Sequence, residues 1–579
     1  MSQRLSDGSV AALIAEVLRA RDVERVFGLC GGHIMPIWMR VDAENIPIVD
    51  VRDERAAVHM AQAHAEVTGR LGVALVTAGP GVTNAMTGIA NAYVSRAPVL
   101  ILSGAPPRAQ SNRGALQDID HANLVRPITR YARTVRDPAL ALQELDEAIS
   151  CAIGDGGDPG PVFLNFPTDI LRAKVSPALQ MAEYIREKPR HVTPPDPNAV
   201  QQVAELLLSA QRPLVISGRG TRGAGAALIQ FLDRMDVAYL DTGESRGLVP
   251  DEHPAVVASM RGAVMKEADL VVTIGRRLDF QLAYGSPAIF GPVKFVRIAN
   301  APSELRDNRR GTVEILADTS TTLRAITEAV GNRTTERDRA WLDGLRQSHR
   351  GRTEKLRHMM ADTPNGTDGR IHPNRLLAAI QSWLPANSIV VIDGGDFLSF
   401  ARVGLSSPVM LDPGPFGCIG IGVPYGIAAS LACSDRTVLV VTGDGAFGFN
   451  AIELDTAVRH KAPAVFVIAN NGSWQIEVRD QTVTHGKVVG TKLQFPITPP
   501  WHALSACMPN ASKTRRTCPP LSTVPWPTGL HCSMSSLRRK RFPPMPRPVS
   551  PGCQTCSHSR RGTTRSVRGA TQNIRKARE

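Results

Sequence analysis

Acidic residues are almost absent from one stretch of this 579-residue chain: residues 501–579 hold 15 Lys and Arg but a single acid, Glu579. The whole formal charge of +14 sits in that stretch, and residues 1–500 carry equal numbers of each sign. That balance excludes a body that binds nucleic acid or an anionic membrane through its overall charge. Cysteine is scarce over the same 500 residues, where only Cys30, Cys151, Cys418 and Cys433 occur. No disulfide framework is expected, and a reduced, cytoplasmic setting follows. Long apolar runs are missing as well. The longest uncharged run lies between Arg70 and Arg96 and is broken by Gly79-Pro80-Gly81, Asn84 and Asn91, so no membrane span is expected. The N-terminus MSQRLSDGSV lacks a basic segment followed by an apolar core, which argues against a secretory signal. What is present, 43% hydrophobic and 21% charged residues, is the composition of a large globular protein of about three domains.

Short apolar runs alternate with helical patterns throughout the body. A helix over Val10–Ala20 precedes β-runs near Arg25–Leu29, Ile46–Val51, Gly72–Thr77, Val99–Ser103 and Val162–Asn165. The Pro-rich segment Lys188–Asn198 reads as a linker, after which strands are expected at Pro213–Ser217, Val237–Leu240, Leu270–Ile274 and Lys294–Ile298. Beyond a polar stretch ending near Gly369, a third series begins with a helix at Asn374–Trp383 and strands at Ser388–Asp393, Thr437–Thr442 and Ala464–Ala469. The pattern predicts an α/β protein of three consecutive doubly wound parallel-sheet domains, over residues 1–185, 199–335 and 370–496, followed by an irregular basic tail over 497–579.

The richest stretch is Val438–Asn471: a β-run, then Gly443-Asp444-Gly445, a helical pattern, a second β-run and Asn470-Asn471. Asp444 and Asn471 stand at the C-terminal ends of successive strands, and in a parallel sheet those ends open on one crevice. A carboxylate, an amide oxygen and a backbone carbonyl suit Mg²⁺ together with diphosphate oxygens. Gly445 would let the backbone approach phosphate, and the helix after it would present its positive end. Either dipeptide alone is an ordinary turn. With 24 residues between GDG and NN they resemble the diphosphate-binding signature of thiamine diphosphate enzymes.

Further segments resemble acetolactate synthases and their relatives over roughly residues 8 to 495: VDVRDERAAVHMAQAHAEVTGR, AGPGVTN at 78–84, GPVFLNFPTDIL at 160–171 and PFGCIGIGVP at 415–424. The resemblance implies a pyrimidine-binding domain, a central Rossmann-like domain and a diphosphate-binding domain. It places Glu54 against N1′ of the aminopyrimidine, where a carboxyl can share its proton and let the cofactor serve as its own base. It places Pro80 and Asn84 beside the cofactor, Ile419 under its bend, Gly443, Gly445 and Ala446 at the diphosphate, and Asp444, Asn471 and Ser473 on Mg²⁺. It implies a transferase or lyase that decarboxylates a 2-keto acid such as pyruvate and transfers the acyl carbanion. It also implies a homodimer or homotetramer, with Glu54 and Asp444 of each site drawn from different chains.

Two features bear on the branch. GLCGGHIMPIW sets His33 after a Gly-Gly turn, where typical acetolactate synthases carry an apolar residue and where benzaldehyde-lyase-like and some 2-hydroxyacyl-CoA-lyase-like members carry His. SNRGALQDID sets Gln117 at the active-site glutamine position. His33 and Gln117 would handle substrate protons, which keeps a 2-hydroxyacyl-CoA or benzoin-type lyase open beside the acetolactate synthase reading. A non-catalytic relative acting as a binding protein is disfavoured by the full set of cofactor residues.

In the central unit, Ser217-Gly218-Arg219-Gly220-Thr221-Arg222-Gly223 follows a strand, opens a helix and has Asp241 at the end of the next strand. This is a dinucleotide fingerprint, though a single one is weak. Relatives bind FAD there, or ADP or CoA, or nothing; an empty or nucleotide-only site is favoured over FAD. Cys553 and Cys556 with Cys532 and His558 fit no closed zinc set. The basic run Arg538–Arg541 lacks the interleaved aromatics of a nucleic-acid tail. From about Ile497 the sequence loses apolar periodicity and turns to Pro, Arg, Ser, Thr and Cys, with twelve of the 43 prolines. Two explanations stand, a basic disordered tail and an out-of-frame reading of a GC-rich gene, and the depletion of acids favours the second. An unfinished third domain would leave the chain weakly active or inactive.

Overall fold

Apolar runs separated by helical patterns fold here into parallel strands joined by crossover helices. The structure, a computed structural model, describes residues 7–176, 191–335, 337–367 and 369–493. The tail expected from 497, the Cys553–Cys556 segment and the first domain's expected end at 185 lie outside the described residues.

The first sheet has six strands: β1 (Val26–Gly28), β2 (Ile48–Asp50), β3 (Gly72–Val76), β4 (Val99–Ala105), β5 (Tyr131–Thr134) and β6 (Val162–Pro167), in the order β2-β1-β3-β4-β6-β5. The second has five, β7 (Pro213–Ser217), β8 (Ala238–Leu240), β9 (Leu270–Ile274), β10 (Lys294–Ala299) and β11 (Val313–Leu316), ordered β11-β10-β9-β7-β8. The third comprises β12 (Ile389–Asp393), β13 (Val409–Leu411), β14 (Val438–Gly443) and β15 (Ala464–Ala469), ordered β13-β12-β14-β15. Among the described residues every pairing between these strands is parallel, as the alternating pattern predicts. Strands β5, β11 and β13 were not expected. Each is three or four residues long at a sheet edge, too short to show a period.

Helix ends follow the local chemistry. In α1 (Val10–Ala20) the Ser9 hydroxyl accepts the Ala12 N–H, and Val10, Leu13, Ile14, Val17 and Leu18 are buried on one stripe. In α2 (Glu54–Thr68) the Asp53 carboxylate accepts the Arg55 N–H, and Gly69 ends the helix in the left-handed region. Helix α2 is buried at Glu54 and from Ala56 through Ala65, because it lies between the first sheet and a helix of the third unit, α4 (Gly422–Ala432). Small residues, chiefly Ala and Gly, let these helices approach; the α3 helix (Pro80–Ser95) joins them through Asn91, which donates to Gln62 and to the Tyr425 hydroxyl.

One core therefore runs from β1 and β3 through α2 and α4 to β14 and β15. The central unit is tied to the first by buried ion pairs. Arg219 Nη1 lies 2.6 Å from Glu66 Oε1, Arg222 meets the other Glu66 oxygen, and Arg96 lies 2.7 Å from Glu304. Among the described residues no helix is long and apolar enough to cross a membrane.

Candidate functional site

The sequence-predicted residues gather in two places, one at the C-terminal ends of the first sheet and one at those of the third. At the first, the turn after β1 carries His33, whose Nδ1 lies 3.0 Å from Gln117 Oε1. The amide oxygen can only accept, so Nδ1 is the donor in this contact and Nε2 faces away from it. Glu54 opens α2, is 6% exposed, and accepts a 3.1 Å hydrogen bond from Asn84 Nδ2. Pro80 and Asn84, both exposed, lie on the first turns of α3. The segment Thr77–Gly81 bridges these groups: a Cβ on Gly79 would meet Gln117 Cβ at 2.8 Å, and one on Gly81 would meet Glu54 Oε1 at 3.3 Å.

At the third sheet, β14 ends at Gly443, and a short helix, α5 (Asp444–Asn450), starts at Asp444. Asp444 Oδ1 accepts the Asn471 N–H at 3.4 Å, while Asp444 Oδ2 is buried without a partner. Burial raises the Asp444 carboxyl above the usual carboxylate range. Asn471 Oδ1 accepts from Ser473 N at 3.1 Å and from Ser473 Oγ at 3.2 Å. Ile419, Gly443, Asp444, Gly445, Ala446, Asn471 and Ser473 all line one cavity of about 100 Å³. The loop that carries Ser473 is pinned from the far side, where Trp474 N donates to Thr491 O and Leu493 N to Gly472 O.

The partnerless Asp444 oxygen and the amide beside it form a set of hard donors that fits a divalent cation carrying diphosphate. Among the described residues no group of three or more His, Cys, Asp and Glu could hold a metal, so amide and carbonyl oxygens would have to complete such a site. Gly445 shows a packing role: a Cβ there would fall 2.5 Å from the Trp474 ring.

Three residues of this site escaped sequence reading. Asp393, at the end of β12, accepts from the N–H groups of Gly394, Gly420 and Gly422, and so fixes the loop that presents Ile419. Its burial pushes the carboxyl up to about 6. The others are Trp474 and His121, whose Nε2 accepts the Gly79 N–H at 2.7 Å. A DGG after a β-run, echoing GDG, was the only signal for Asp393.

Within one chain, no hydrogen bond or ion pair among the described residues joins Glu54, His33 or Gln117 to Asp444, Asn471 or Ser473. Exposed apolar side chains rim both places: Met35, Met39, Leu116 and Ile119 around the first, Phe416, Phe449, Ile452 and Ile476 around the second.

Models of three families match in chain order: the N-terminal thiamine pyrophosphate-binding domain over residues 8–124, the central domain over 200–326 and the C-terminal thiamine pyrophosphate-binding domain over 397–508. The chain belongs to the thiamine pyrophosphate enzymes. An acetolactate synthase large subunit of Mycobacterium tuberculosis is 34% identical over 490 residues, which is 83% of this chain and 87% of that one. A 2-hydroxyacyl-CoA lyase 2 of Caenorhabditis elegans is 32% identical over 510 residues, 81% of this chain and 79% of its own. The human 2-hydroxyacyl-CoA lyase 2 is 32% identical over 523 residues, 83% and 82% respectively. As a thiamine pyrophosphate enzyme the chain thus stands beside relatives of both reaction types.

The central-domain fingerprint is engaged in packing. The N–H groups of Gly220, Thr221 and Arg222 donate to the carbonyls of Gly275, Gly218 and Arg219, so they are not free to receive a diphosphate. A Cβ on Gly220 would lie 2.6 Å from Gly275 Cα, so glycine here lets two backbones touch. Arg219 and Arg222 point at Glu66.

Proposed function

We propose that this enzyme uses thiamine diphosphate and Mg²⁺ to make or break a C–C bond next to a carbonyl, with a 2-keto acid such as pyruvate as the donor. The observation that carries this is the buried, partnerless Asp444 Oδ2 in one cavity with Asn471, Ser473 and Ile419. Asp444, Asn471 and the Ser473 carbonyl would hold the cation, and Gly443, Gly445 and Ala446 the diphosphate. Ile419 would support the bent cofactor from a loop that Asp393 anchors. Pro80 and Asn84 would flank the pyrimidine, with Asn84 orienting the Glu54 carboxyl through their 3.1 Å bond. When bound, the cofactor supplies a carbon nucleophile and an electron sink for the cleaved bond. Glu54 would hold or release a proton at the pyrimidine nitrogen.

A second reading, cleavage of a 2-hydroxyacyl-CoA or benzoin-type donor, is favoured by the His33–Gln117 bond. With Nδ1 engaged, Nε2 is free to take the hydroxyl proton of a 2-hydroxy donor. A cavity of about 460 Å³, lined by Arg246, Arg261 and Arg402 together with Asp241, Glu244 and Asp412, has room for part of an acyl-CoA. No flavin enters either scheme, since the GRGTRG turn is engaged in packing; the purified protein should be colourless.

In both schemes the first-sheet end of one copy meets the third-sheet end of another, in a homodimer or homotetramer. The exposed apolar rims support that arrangement. Incubation with pyruvate, benzoin and a 2-hydroxyacyl-CoA, each with Mg²⁺ and thiamine diphosphate, followed by product analysis, separates the schemes. Acetolactate or CO₂ from pyruvate alone supports the first; an aldehyde with formyl-CoA, or benzaldehyde from benzoin, supports the second. Calorimetry with no Mg²⁺-dependent thiamine diphosphate binding would refute both.

A further inference from the structure

Of all the titratable groups outside the roles above, His121 has the least ordinary surroundings. It begins a short helix (His121–Val125) and is 1% exposed. Its Nε2 receives the Gly79 N–H at 2.7 Å. A backbone N–H can only donate, so Nε2 is unprotonated, the proton sits on Nδ1, and the ring is neutral. Nδ1 has no partner. Burial and the nearby His33 lower the ring's proton affinity, against the opposing charges of Asp118 and Asp120.

Gly79 itself sits at φ +58, ψ −111, a conformation that only glycine adopts readily, and it leads directly into Pro80 and α3. Gln117 faces it, also at positive φ (+64), with the two residues so close that a Cβ on Gly79 would meet Gln117 Cβ at 2.8 Å. Two backbone segments in sparsely populated conformations are thus pressed together, and such pairs persist only when neighbours hold them. The single side-chain bond to the Gly79 N–H comes from His121.

We infer that His121 is a positioning residue: by accepting the Gly79 N–H it fixes the turn against which Gln117 rests, and so sets the His33–Gln117 pair. The substrate would never touch it. It rests on the assignment of His33 and Gln117 to substrate protons made above. An acceptor at the Nε2 position is what the role requires, and a glutamine at 121 can place its Oε1 there whereas an apolar side chain cannot.

Hydrogen exchange on the full chain tests this without relying on turnover. In His121→Met, peptides covering Gly79 and residues 112–118 should exchange about tenfold faster than in the unaltered protein, and in His121→Gln close to the original rate. Unchanged exchange at 112–118 in a folded His121→Met, or equal acceleration in His121→Gln, overturns the inference. His121→Leu replaces the Met variant should the latter fail to fold. Turnover adds a second criterion: kcat should fall roughly 30-fold in the Met variant with KM within about threefold, and recover in His121→Gln. Full kcat in His121→Met while His33→Ala loses it removes His121 alone. Full kcat in His33→Ala removes the assignment of His33, and the inference with it, whatever the exchange shows.

Discussion

The first and third sheets are built on one plan, carried to different lengths. In the first, the order β2-β1-β3-β4 continues through β6 and β5. In the third, β13-β12-β14-β15 repeats the same opening order, and among the described strands β15 has only β14 beside it. The shared order places the ends of β3 and β14 alike, each leading into a helix whose first turn carries polar groups: Pro80–Asn84 in one, Asp444–Ala446 in the other. What stands on those ends differs. The first sheet offers a carboxyl, an imidazole and two amides, suited to moving protons. The third offers a partnerless carboxylate oxygen and an amide, suited to a cation. Like scaffolds thus carry unlike sets of groups, which the proposed function would join in one site.

Among the described residues the third sheet ends at β15, two strands before the first. We expect the place of β6 and β5 beside β15 to be filled by an α/β continuation read in another frame from about codon 497. An enzyme so corrected should turn over roughly a hundredfold faster, the cost of misplacing catalytic groups by about an ångström. Sequencing the gene is the check. If no one- or two-base change near that codon yields apolar strands and helices, the frameshift is wrong and the basic tail is genuine.

Next in size is the clamp between the first and central units. Glu66 faces both Arg219 and Arg222, and burial pulls the Arg219 guanidinium down to about 10. Removing the carboxylate in Glu66→Ala leaves two largely buried guanidiniums that Glu244 compensates only in part, so unfolding free energy should drop by about 3 kcal/mol in denaturant titration. A change below about 1 kcal/mol would show that the clamp is solvated.

Acid should act with opposite sign on the two units. His59 of α2 is fully buried against Tyr425 and Cys418 of the third unit, and its pKa is lowered from 6.5 to about 3. The unfolded chain binds that proton first, so the contribution of His59 is present above pH 6.5 and is lost as pH falls. From pH 7 to 5 it should cost about 2 kcal/mol, a dependence that His59→Phe removes. Asp393 is raised from 3.8 to about 6, so the folded state binds the proton first and gains on acidification. Over the same interval the original protein should gain about 1 kcal/mol relative to Asp393→Asn. Slopes of the same sign in the two variants would break the comparison.

Much of this was legible in the sequence because strand ends carry the chemistry. GDG and NN mark the ends of β14 and β15 by their spacing, and the family resemblance that they carry pointed on to Glu54, which follows β2 closely. His121 and Asp393 were not legible. Each acts on a glycine N–H that is remote in sequence, Gly79 for one and Gly420 and Gly422 for the other, and no local pattern encodes that proximity. The fingerprint GRGTRG was ambiguous in the sequence, compatible with an empty site as well as with a nucleotide. Gly218 and Gly220 serve contact between two backbone segments, a use that the sequence does not distinguish from a phosphate cradle.

The central claim is that each site joins Glu54 of one copy to Asp444 of another. Mixing Glu54→Gln with Asp444→Ala chains, each inactive alone, tests it most directly. Under subunit exchange, half the dimers pair the two variants and carry one intact site, so activity should return to roughly a quarter of the unaltered level. A mixture as inactive as either variant, with both shown to assemble and exchange, would place the two residues of a site in the same chain and contradict the claim.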